Sequence, residues 1–83
     1  MIAELVDERD VAAEQDQPVF RAIFTQHGEV SSYRLTGGCL PDALAWVAAN
    51  AAGRAHGLYV EHPVPESDGV ELTLLERSAG FSW

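Results

Sequence analysis

Hydrophobic and polar residues along this chain follow two different periods, and the switches between them mark its elements. In "PVFRAIFT", Pro18 to Thr25, Phe20, Ala22 and Phe24 fall on one side, and Val19, Arg21, Ile23 and Thr25 on the other. Period-two alternation rich in aromatic and β-branched residues predicts a strand. Pro18 is tolerated at its start, where no ladder N–H is needed. "QHGE" reads as a turn in which Gly28 is free to take a positive φ. "EVSSYRLT", Glu29 to Thr36, alternates again, with Ser31, Tyr33 and Leu35 against Val30, Ser32, Arg34 and Thr36. The short connection predicts an antiparallel hairpin.

After Gly37 and Gly38 the period lengthens. Leu40, Leu44, Val47, Ala48 and Ala51 lie at offsets 0, 4, 7, 8 and 11, an amphipathic helix stripe. Pro41 suits a helix's first turn, and Asp42 complements the positive end of the helix dipole. Gly53 or Gly57 can end the helix, with Arg54 and His56 near its negative end. "GLYVEHPV" is a third strand, "PESDG" carries strong turn chemistry, and "VELTLLERS" is a fourth strand with Val70, Leu72 and Leu74 expected inward. The tail "AGFSW" has no period, and Phe81 and Trp83 are left to close the core, cover a strand edge or enter a partner's pocket.

The expected fold is α+β: a ββαββ unit whose four-stranded, mostly antiparallel sheet carries one helix on one face. Residues 18–83 form a single compact domain. Residues 1–17 form an acidic N-terminal segment, read as a short helix, an edge strand or an arm disordered until it binds. One helix covers one face of such a sheet, so the other must be polar, be covered by the N-terminal segment, or be an interface. The strands offer that face Tyr33 or Arg34, Tyr59 and Leu75.

Charge narrows the function classes. Thirteen acids against five bases give a formal net charge of −8. Residues 1–17 contribute −5 of it, from six acids and one arginine. All five bases are arginines scattered along the chain, so no basic patch exists to neutralise phosphates, and direct nucleic-acid binding is not expected. An acidic surface attracts a basic partner instead, including one that itself binds nucleic acid. No apolar run approaches a membrane span, and the acidic N-terminus lacks the basic flank of a signal peptide, so a cytoplasmic location is expected. One cysteine permits no internal disulfide.

That cysteine is the one candidate for covalent chemistry. Cys39 follows two glycines and precedes a helix, a place where a thiolate can be stabilised. A nucleophilic cysteine also needs a base. His27 lies in the first turn and His56 beyond the far end of the helix, which leaves His62, if the third strand runs parallel to the second. The commoner role for such a cysteine is packing, and no catalytic residue is assigned. One cysteine and three dispersed histidines lack zinc spacing, and "ESDG" shares only its turn with a calcium loop, so no metal or cofactor is expected.

The sequence therefore points to a small non-enzymatic protein-binding module of the kind used as defence inhibitors, antitoxin-like or immunity proteins, or accessory subunits. Glu4, Asp7, Glu8 and Asp10 would supply charge and Tyr33, Tyr59 and Trp83 aromatic contacts to a basic protein partner. The alternatives are a thiol-dependent enzyme or carrier using Cys39, or a homodimer that binds a small ligand while burying the open sheet face.

Overall fold

The computed structural model describes residues 1–6, 18–64 and 69–83. Its elements in chain order are β1 (Ile2–Leu5), β2 (Phe20–Gln26), β3 (Glu29–Thr36), α1 (Leu40–Asn50), β4 (Ala55–Pro63) and β5 (Val70–Arg77). They form an α+β fold with one helix and a five-stranded antiparallel sheet in the order β1-β3-β2-β4-β5. The expected count of four strands is corrected by β1, which pairs with β3 from Ile2↔Thr36 to Leu5↔Tyr33. Of the three readings of the N-terminal segment, the edge strand holds for residues 2–5; residues 7–17 lie outside the described residues.

β2 sits at the centre, and five consecutive residues of it, Phe20 to Phe24, are buried. It pairs with β3 on one side and β4 on the other, so β3 and β4 run parallel with β2 between them. The crossover through α1 joins these two non-adjacent strands and lays the helix on one face. Phe20, Ala22, Phe24, Leu35 and Leu58 from the sheet meet Ala43 and Val47 from the helix. Ala43 and Val47 are the buried helical residues, whereas Leu40 is 40% exposed and Ala48 is exposed. The buried stripe is thus turned by about one position from the expected line. Small Ala43 lets the helix approach the sheet, while Trp46 fills the margin against Phe24 and Tyr33, at ring-centroid distances of 6.0 and 5.3 Å.

The helix stops at Asn50 because Ala52 (φ 51°) and Gly53 (φ 80°) turn the chain left-handed. Arg54 then folds back, donating from Nε to the Ala51 carbonyl at 3.0 Å and from Nη2 to the Asn50 carbonyl at 2.8 Å. Its guanidinium lies 4.2 Å from the Phe24 ring centroid, so one side chain closes the helix end and lids the aromatic cluster. The β2–β3 turn is a two-residue loop, with His27 at φ 52° and Gly28 at φ 82°, the twist that matches a hairpin.

β5 differs from expectation in facing. Val70, Leu72 and Leu74 pair with Pro63, Glu61 and Tyr59 and so share the face away from the helix. Glu71, Thr73 and Glu76 take the helix side. The reason is reach: the helical core ends over β4, so the helix side of the outermost strand meets water. An irregularity in the ladder between Leu58 and Tyr59 leaves Leu75 as an extra residue on β5.

Candidate interaction surface on the second sheet face

The face opposite α1 has three zones. Its centre holds a buried charge cluster. Glu61 Oε2 accepts from Arg21 Nε at 3.0 Å and from Arg34 Nε at 3.2 Å, and Arg21 Nη1 donates to Ser32 Oγ at 3.3 Å. The Arg21 and Glu61 side chains are 0% and 1% exposed. Three odd-face positions on β2, β3 and β4 are brought together by register, because Arg21 stands between Arg34 and Tyr59, with Glu61 two residues beyond Tyr59. One carboxylate lies between two guanidiniums, and this attraction offsets part of the cost of burying the Arg21–Glu61 pair.

The second zone is covered by the C-terminal tail. Ser78 ties it down by donating its backbone N–H to the His56 carbonyl and accepting the His56 N–H on Oγ, both at 2.9 Å. Phe81 then lies on Gly57: a Cβ at Gly57 would fall 2.6 Å from Phe81 Cε2. Ile23, the register partner of Gly57, is fully buried on this face.

The third zone is apolar and exposed. Trp83 stands against Tyr59 at 5.5 Å between ring centroids and remains 52% exposed. Leu74 is the register partner of Tyr59 and is 44% exposed. Leu74, Tyr59 and Trp83 thus make one apolar strip along β4 and β5. Burial raises the Tyr59 phenol above its usual pKa of 10.0, with Arg77 opposing the shift.

Among the residues expected to bind a partner, Tyr59 and Trp83 are therefore together. Glu4 is exposed on β1 and shares this face as the register partner of Arg34, at the far side of the sheet. Tyr33 is elsewhere: it is half-buried on the helix side, edge-on to Phe24 at 5.9 Å. Asp7, Glu8 and Asp10 lie outside the described residues. Leu74 was expected inward with Val70 and Leu72, and the facing of β5 brings it to this surface instead. The Arg21–Glu61–Arg34 cluster was missed. Its trace in the sequence is a charged residue near one end of each of three strands that are otherwise apolar or neutral there.

Cys39 is the N-cap of α1 and is exposed. Its thiol donates to Asp42 Oδ2 at 3.1 Å, and the same oxygen accepts the Cys39 backbone N–H at 2.9 Å. These two bonds, backbone first, hold the Asp42 carboxyl below its ordinary pKa. The thiol's neighbour is thus an acid rather than a base, and a thiolate would stand against a carboxylate. His62 does lie at the same end of the sheet as Cys39, but on β4, with β2 between that strand and β3. Gly38 has a packing reason, since a Cβ there would fall 2.9 Å from Met1 Cε and 3.0 Å from Asp42 Cβ.

Among the described residues no group of three His, Cys, Asp or Glu side chains is placed to hold a metal ion, and no helix is long and apolar enough to cross a membrane. Compared with known proteins, the chain matches no family model, no curated protein and no solved structure.

Proposed function

We propose that this chain is a non-enzymatic protein-binding module, an inhibitor or accessory subunit, that docks through the apolar strip of its second sheet face. The observation that carries the reading is the strip itself: Leu74, the register partner of Tyr59, and Trp83, set edge-on beside that ring, are about half exposed and lie on the sheet face that the helix does not cover. Aromatic and aliphatic anchors in such a patch supply most of an interface's affinity. The partner is basic. A net charge of −8 steers and orients a cationic surface, and its contribution is screened by salt.

The test is affinity capture with the intact chain, followed by titration of the captured protein at low and physiological ionic strength. Trp83→Ala and Leu74→Asp are each expected to weaken binding by at least about tenfold while circular dichroism and Tm stay close to wild type. Binding that ignores both substitutions removes the strip as the docking surface. Binding that ignores salt removes the basic partner.

A further inference from the structure

β5 is the outermost strand, hydrogen-bonded to β4 along one edge, and among the described residues no strand pairs with its other edge. An eight-residue edge strand is a ready template for another strand unless it is guarded by charge, proline or a bulge. β5 is guarded over only half its length. The extra residue Leu75 interrupts the regular ladder, and Glu76 and Arg77 follow it. Val70 to Leu74 is regular, contains no proline or lysine, and carries one charge, Glu71.

We propose that two copies of this chain pair antiparallel along Val70–Leu74, about a two-fold axis at Leu72. In that register Leu72 faces Leu72 of the second copy, Val70 faces Leu74, and Glu71 faces Thr73. Residues directly opposite share a face, so all the aliphatic positions of both strands gather on the second sheet face. Each glutamate meets a threonine rather than another acid. The neighbouring registers are worse. A one-residue slip sets Leu72 against Glu71 or Thr73 and puts the aliphatic positions of the two copies on opposite faces. An axis at Glu71 opposes the two glutamates, and an axis at Thr73 runs the pairing across the extra residue to Glu76. Charge elsewhere permits the approach: residues 70–83 carry two acids and one arginine, whereas residues 1–17 hold −5 of the net −8. Pairing joins the Tyr59–Leu74–Trp83 strips of the two copies into one surface. It does not depend on the basic-partner reading, and the two respond oppositely to salt: screening weakens attraction to a cationic partner and relieves repulsion between two acidic chains.

Sedimentation of the full chain over a wide concentration range is expected to show a reversible monomer–dimer equilibrium that tightens as salt is added. Thr73→Arg, at an exposed position facing Glu71 of the second copy, is expected to tighten the dimer about fivefold through two equivalent cross-strand pairs, and Thr73→Glu to weaken it by a similar factor. In a Cys39→Ser background, Leu72→Cys is expected to oxidise to a covalent dimer. Opposed Cα atoms stand about 4.5–5.5 Å apart, within the reach of a disulfide. Val70→Cys is not expected to do so. A monomer at every concentration overturns the proposal, as does a dimer indifferent to Thr73→Glu or cross-linked equally well through Val70→Cys.

Discussion

Gly57→Ala tests how the tail is seated, and its sign should reverse with one other residue. An added Cβ would stand 2.6 Å from Phe81 Cε2, 2.7 Å from Phe81 Cζ and 3.0 Å from Tyr59 Cε1. Distances under 3 Å are not tolerated, so the ring must move, either staying in strain at about 1–3 kcal/mol or leaving and giving up about 1 kcal/mol of half-buried phenylalanine. Against this, alanine in a strand gains about 0.5–1 kcal/mol over glycine. The net expectation is destabilisation of about 0.5–2 kcal/mol, roughly 4–8 °C in Tm per kcal/mol for a domain of this size. In a Phe81→Ala background only the Tyr59 Cε1 contact at 3.0 Å remains, which a small ring shift relieves, and Gly57→Ala should be close to neutral or stabilising by up to about 1 kcal/mol. Urea unfolding followed by circular dichroism on the four members of the cycle gives the coupling directly. An equal cost in both backgrounds would mean that it does not come from Phe81, and a Gly57→Ala chain more stable than wild type would mean that the tail does not press on this position.

Glu61→Ala removes the carboxylate that Arg21 and Arg34 share, and a loss of at least about 1–3 kcal/mol is expected in chemical denaturation; a loss below about 1 kcal/mol would mean that the burial of the two arginines does not depend on Glu61. His27→Asn should stabilise by about 0.5–1 kcal/mol, because His27 holds φ 52° in a turn where asparagine is the better left-handed residue, and a thermal melt reads it. Asp42 has a lowered pKa, so its contribution is present above the ordinary carboxyl value of 3.8 and is lost as pH falls through the lower folded-state value. The Tm difference between wild type and Asp42→Asn should accordingly be flat near neutrality and close in strong acid; a difference that persists there would assign it to something other than the carboxylate.

The period-two runs were enough to place β3 to its residue limits and to divide β2 into its two faces, because both strands are packed on both sides and their alternation has to match the sheet. β5 alternates just as cleanly, yet its facing could not be read from its own residues. Alternation tells which residues share a face, while the reach of α1 over the sheet decides which face is core. The helix stripe was off by one position for a related reason: Leu40 fits the spacing, but which side of the stripe meets the sheet is set by the packing, and Ala43 takes the buried place. At the candidate surface, Tyr59 and Trp83 could be singled out as aromatics with no place in the helix-side pattern. Their contact depends on how the aperiodic tail folds back, which no spacing encodes. The Arg21–Glu61–Arg34 cluster needs the β3-β2-β4 order before its members become neighbours.

That strand order also carries a kinetic consequence. β2 makes its two ladders at very different sequence separations: Ile23 meets Ser32 nine positions away and Gly57 thirty-four positions away. Closing the longer loop costs about 1 kcal/mol more in chain entropy, since that cost grows with the logarithm of length. The β2–β3 hairpin is therefore expected to form first and to offer β2's free edge to β4, with α1 shortening the intervening chain as it coils. Substitutions in the hairpin should slow folding, and those in β5 should chiefly speed unfolding; φ-values ranked the other way would reverse the order of assembly.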